Sequence, residues 1–200
     1  MAQTDHCREN RIDEIPFLLM GVMLSAAAQQ ANTPVPPAHT GVEHAADSKL
    51  HEDVLTLIAV DGTKPRLQSG IPQQVESGKK QMMQACSRCT PAFGDEWARR
   101  MLARLQVEDF VQVIVRTYEK YLSDEDVQQL IVLWKAKNES RPTRVSPELQ
   151  QKLTSIMPSI QSEILGGCVQ IGAKLGAEVG QEIEKEHPDY MKPSANQGKR

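Results

Sequence analysis

The chain has 200 residues, which is enough for one domain with flexible ends. Hydrophobic residues make up 40% of it but aromatic residues only 4%, so the core has to be built mainly from aliphatic side chains. The formal net charge is −3 and no long basic block is present, which argues against nucleic acid as a partner.

Residues 15–28 form an apolar run that ends in small residues, and Ala26 and Ala28 fit the A-x-A rule for signal-peptide cleavage. The run is shorter than the roughly 20 residues of a membrane-spanning helix. We therefore expect 1–28 to be a leader, the mature protein to be periplasmic or secreted, and no stable membrane span to remain after cleavage. Acidic residues offset Arg8 and Arg11, so a buried helix of a cytosolic domain is the alternative.

The rest of the chain divides into a tether, a helical domain and a tail. Residues 29–47 are rich in proline and poor in large apolar residues, which predicts a flexible tether. The domain is expected over 48–187. Its first helix should cover 48–60 and stop at Asp61-Gly62, its second should begin at Pro72 and reach about Cys86, and its third should span 91–105. Residues 188–200 are predicted to be a disordered tail.

Two amphipathic helices, over 107–121 and 124–137, follow in the middle of the chain. Ser123 is placed to cap the second of them, and three acidic residues occupy its first turn, where the helix dipole favours negative charge. The apolar spacing of three and four residues predicts a structural core made by Tyr118, Leu130, Ile131 and Trp134.

The final helix is expected after a loop over 138–145. Ser146 and Pro147 form a typical helix start, and His187-Pro188 a typical end. Pro158 lies inside this stretch and should kink or split the helix, because proline lacks the backbone N–H. The expected fold class is therefore all-α, a single bundle-like domain of about six helices.

Residues 118–134, with the sequence YEKYLSDEDVQQLIVLW, resemble the core of a bacterial family called domain of unknown function 2059. Ser146-Pro147, Lys152 and Pro158 resemble the second half of that family's pattern, whereas 136–145 looks like an insertion relative to it. The resemblance implies an all-helical, exported or envelope-associated protein. It implies no activity and supplies no catalytic residues.

Cys86 and Cys89 form a C-x-x-C motif, for which a structural disulfide is the preferred interpretation in an oxidising compartment. A redox dithiol normally has its first cysteine at a helix N-terminus beside strands, and none are expected here. A zinc site needs four ligands; Cys168 would be a third, and no fourth is evident. Free thiols remain a further alternative.

Gly172, Gly176 and Gly180 recur every four residues and so share one stripe of the last helix. Each costs about 1 kcal/mol of helix propensity, which suggests close packing against this backbone. The packing partner is expected to be another helix of the domain or a second chain; a weak, fraying helix is the other possibility.

Neither histidines nor acidic residues form a convincing site in the sequence. The histidines are interpreted as surface residues rather than metal ligands, and the acidic residues as helix-capping groups. We therefore predict no metal and no cofactor. The residues concerned are His39, His44, His51, Glu119, Asp124, Glu125 and Asp126.

These patterns favour an exported helical module of the cell envelope that binds a protein or associates with itself. They contain no catalytic constellation, and the partner is unknown. The alternative is a thiol-redox or metal-binding protein that uses Cys86 and Cys89.

We predict that the chain is exported and cleaved near Ala28. N-terminal sequencing of the protein purified from cells tests this, and a product that retains 15–24 would contradict it.

Overall fold

The computed structural model describes residues 44–191, with side chains from residue 49 onward. The proposed leader, most of the tether and residues 192–200 lie outside this range. Within it, the chain forms α-helices and one 3-10 turn, without a β-strand, which confirms the all-α class. The helices are α1 His44–Val60, α2 Thr63–Ala85, α3 Pro91–Arg104, α4 Val107–Tyr121, α5 Asp124–Asn138 and α6 Pro147–Glu186, and the turn is Pro188–Tyr190.

The helix boundaries follow the local signals in the sequence. Gly62 separates α1 from α2 with a φ of 74°, a left-handed conformation that suits glycine. Ser123 and Asp126 form a capping box, in which each side chain accepts a hydrogen bond from the other residue's backbone N–H. Ser146 accepts from the Leu149 N–H in the same way at the start of α6.

The expected start of the second helix at Pro72 is wrong, because α2 begins nine residues earlier, at Thr63. Leu67, Ile71 and Val75 lie one turn apart and pack into the core. Pro72 lies on the exposed side of the helix, where the carbonyl that it leaves without a donor is open to water. The packing of this apolar stripe outweighs the loss of one backbone hydrogen bond.

Pro158 does not split the last helix, and α6 is continuous over 40 residues, a length of about 60 Å. Pro158, like Pro72, is exposed. The expectation of a disordered tail from residue 188 is wrong for the first residues, because Pro188–Tyr190 form the 3-10 turn and the ring of Tyr190 stacks on His187 at a centroid distance of 4.7 Å. No helix in the described range is long and apolar enough to cross a membrane.

Two core clusters lie along α6. The first joins α1, α4 and α5 to the N-terminal half of α6, and the second joins α2 and α3 to its C-terminal half. The largest fully buried side chains of the first cluster include Val54, Val115, Val127 and Ile160, and those of the second are Val179 and Ile183. One long helix therefore belongs to both clusters.

The four residues predicted to form the core all lie in or against the first cluster, but Trp134 is not at its centre. Ile131 is buried, whereas Tyr118, Leu130 and Trp134 are only partly buried and pack against the cluster from outside. The ammonium group of Lys137 lies 4.7 Å from the centre of the Trp134 ring, which places this tryptophan at the edge of the domain. The buried tryptophan is Trp97, in the second cluster.

An ion-pair network ties α3 to the end of α6. The Arg100 guanidinium donates to Glu96 at 2.6 Å and to Glu186 at 2.7 Å. Arg104 donates to both carboxylate oxygens of Glu182, at 2.9 and 2.6 Å. Hydrogen bonds from Arg99 and Arg100 lower the pKa of Glu96 from 4.5 to about 2.

We predict that acid weakens the ion pairs that Glu96 forms with Arg99 and Arg100 in this network. The lowered pKa of Glu96 gives stability that is fully present above pH 4.5, the value in the unfolded chain, and is lost as the pH falls towards about 2. Thermal unfolding followed by circular dichroism should show a melting temperature that drops across this window. Glu96→Gln should flatten the drop, and Glu184→Gln, at an exposed carboxylate without an ion-pair partner in the described range, should leave it unchanged.

Candidate functional site

Cys86 and Cys89 are joined by a disulfide in the turn between α2 and α3, with their Cα atoms 5.4 Å apart. The segment after α6 packs on this turn. Both the backbone N–H and the hydroxyl of Thr90 donate to the Tyr190 carbonyl, at 3.0 and 2.8 Å. Cys89 pairs with Met191 through an isolated β-bridge. The disulfide therefore lies where the turn between α2 and α3 meets the segment that follows α6.

The surroundings of the two cysteines favour a structural role. Cys86 is the C-cap of α2, at the negative end of the helix dipole, where a thiolate is disfavoured. Cys89 is only 5% exposed. Cys168 belongs to the first core cluster, so it is not a third ligand for a metal held by this pair. Burial raises the pKa of the Cys168 thiol to about 11.

The histidines and acidic residues are dispersed. His39 lies outside the described range, His44 is the first residue of α1, and His51 forms a hydrogen bond of 2.7 Å with Glu119. Asp124 accepts from Lys49 at 2.5 Å, Asp126 caps α5 and binds Lys152, and Glu125 is exposed. Burial raises the pKa of Asp126, but its bonds to Lys152 and Ser123 outweigh this and lower it overall. Over residues 44–191, no three His, Cys, Asp or Glu side chains are grouped to hold a metal ion.

The glycine stripe is a packing surface at only one of its three positions. A Cβ atom on Gly176 would lie 3.1 Å from Cζ2 of Trp97, whose indole N–H donates to the Gly176 carbonyl at 2.9 Å. At Gly180 the corresponding distance, to Phe93, is an ordinary 3.9 Å, and Gly172 faces open space. The packing partner at Gly176 is thus α3 of the same domain.

A groove of about 710 Å³ runs between α4 and α6. Its floor is buried or half-buried and mostly apolar. It is formed by Val113, Thr117, Gly167, Ile171 and Leu175. A Cβ atom on Gly167 would come within 2.6 Å of Val113 Cγ1, so this glycine is what allows the two helices to approach. A groove with an apolar floor and polar rims is the usual form of a binding site.

Charged side chains of both signs form the rims of the groove. Arg104 and Glu163 have partners within the domain, since Arg104 binds Glu182 and Glu163 accepts from Lys120 at 2.7 Å. In the described part of the chain, four charged rim side chains have no hydrogen-bond or ion-pair partner. These are Asp109, Arg116, Lys174 and Glu178, and all four are exposed.

Sequence reasoning missed this groove, although part of its signal is visible. Asp109, Gln112, Val113 and Arg116 are spaced three and four residues apart and therefore share a face of α4. That face is mostly polar, and a polar helix face usually indicates solvated surface. Only the packing of α6 alongside turns it into one wall of a concave site.

No family model, curated protein or solved structure matches this chain. The resemblance to domain of unknown function 2059 therefore rests only on residues 118–134, Ser146-Pro147, Lys152 and Pro158.

Replacing glycine by alanine should affect the stability of the domain differently at two positions of the stripe. Gly172→Ala gains up to about 1 kcal/mol of helix propensity and meets nothing within 4 Å, so it should raise the melting temperature. Gly176→Ala presses on Trp97, and overpacking of about 1–3 kcal/mol should cancel or exceed the same gain. Gly176→Leu should be strongly destabilising. If the melting temperature rises for both alanine variants, the Trp97 ring can shift without cost and the overpacking argument is wrong.

Proposed function

We propose that this chain is a non-enzymatic helical module of the bacterial cell envelope, which binds a protein or associates with itself through the α4–α6 groove. The observation that carries the proposal is the set of unpaired charges above an apolar floor. Asp109, Arg116, Lys174 and Glu178 lie on α4 and α6 and have no hydrogen-bond or ion-pair partner in the described part of the domain. Charged rims of this kind orient a partner and select against wrong ones.

The envelope location rests on the leader-like segment over 15–28 and on the resemblance to domain of unknown function 2059. The disulfide between Cys86 and Cys89 supports it, because such bridges persist in oxidising compartments.

The alternative, a thiol-redox or metal-binding protein, depends on access to Cys86 and Cys89. The low exposure of Cys89 and its contact with Met191 disfavour turnover of the bridge. Alkylation of cell extracts, followed by mass spectrometry, separates the two functions. A bridge that is fully oxidised supports the structural role, and a mixture of oxidised and reduced protein supports redox work.

Photocrosslinking in intact cells tests the groove directly. A photoreactive amino acid at Gln170, on the rim, should give crosslinked species. The same amino acid at Gln151, an exposed glutamine of α6 that lies outside the groove, is the matched control and should give none. Equal yields at both positions, or no product at Gln170, would contradict the proposal.

A further inference from the structure

We propose that the α4–α6 groove is covered by the same face of a second copy of this chain, related by a two-fold axis that runs along the groove. This inference rests on the proposed function and names the partner for it. It follows from the order of the charges on the two walls.

The two walls run antiparallel, which fixes the charges that face each other across the groove. Val113 lies beside Gly167, and the Tyr121 hydroxyl donates to Glu163 at 3.1 Å. With a rise of about 1.5 Å per residue, Arg116 and Glu163 come to within one helical turn of each other along the groove, and they form the first level of facing charges. Asp109 and Lys174 do so at the next level.

A third level completes an alternating pattern. Arg104, at the end of α3, binds Glu182 on α6, and Glu178 lies one helical turn before Glu182 on the groove side. Along the α4 side, the charges therefore run positive, negative, positive. Along the α6 side they run negative, positive, negative, each within about one helical turn of the charge that it faces. The residues are Arg116, Asp109 and Arg104 on the first side and Glu163, Lys174 and Glu178 on the second.

A two-fold rotation about an axis along the groove leaves each level at the same position along that axis. It exchanges the α4 side and the α6 side. The α4 side of one copy then covers the α6 side of the other. Asp109 of each copy meets Lys174 of the other copy, and Arg116 meets Glu163. All three levels pair opposite charges, and each pair occurs twice, as an isologous interface requires.

A partner with charge of one sign fits this surface less well. Nucleic acid or an acidic peptide would be attracted by half of the rim charges and repelled by the other half. A second copy places an opposite charge against each of them, in addition to the partners that Arg104 and Glu163 already have in Glu182 and Lys120. Because exposed ion pairs are individually weak and screened by salt, the dimer should dissociate as the ionic strength rises.

Charge exchange tests the arrangement, with sedimentation equilibrium of the purified protein at low salt as the measurement. Asp109→Lys and Lys174→Asp should each place like charges together twice, and so raise the dimer dissociation constant about tenfold or more. The double variant, Asp109→Lys with Lys174→Asp, should restore it towards the wild-type value. Glu184→Lys, on α6 outside the groove, is the control and should have little effect.

A wild-type protein that stays monomeric at low salt overturns the inference, as does a double variant that fails to recover while its circular dichroism and melting temperature remain normal. The proposed function fails separately. A monomer that still crosslinks from Gln170 to a different protein contradicts only the second copy as partner, whereas the absence of both dimer and crosslink contradicts both proposals.

Discussion

The position of Trp97 between two glycines is the contact on which the second half of the domain depends. A Cβ atom on Gly78 of α2 would lie 3.3 Å from the indole ring, and one on Gly176 of α6 would lie 3.1 Å from it. The indole N–H also donates to a main-chain carbonyl of α6. One side chain of α3 therefore sets the spacing of three helices. Lys174 lies two residues before Gly176, so the same contact also sets one rim of the groove.

Because α6 belongs to both core clusters, the domain has a shared axis rather than one central core. The first cluster packs on the N-terminal half of this helix, and the ion pairs of Arg100 and Arg104 hold α3 against its C-terminal half. The disulfide turn then receives the segment that follows α6, through Thr90 and Tyr190. Hydrophobic burial supplies most of the stability, and the polar contacts fix how the helices are arranged.

Local signals in the sequence predict most helix boundaries but not which residues meet. Ser123 and Ser146 cap helices where their patterns indicate, because capping depends on neighbours in the chain. Pro72 does not mark the start of its helix. The backbone hydrogen bond that proline removes is a local loss, whereas the burial of Val75 that compensates for it depends on tertiary contacts. Trp97 and Trp134 both lie at helical spacing from other apolar residues. The sequence therefore does not show that Trp97 is buried while Trp134 is only partly buried. The groove was unpredictable for the same reason, because its two walls are helices that lie far apart in the chain.

The stretch of α6 between Cys168 and Val179 has no buried side chain, although it joins the two clusters. It also contains Gly172 and Gly176, which are poor helix formers. Amide hydrogens in the part of this stretch that precedes the Trp97 contact at Gly176 should therefore exchange with solvent faster than those on either side. Gln170 and Lys174 lie in the same stretch, so a molecule that fills the groove would slow this exchange and couple the two halves of the domain.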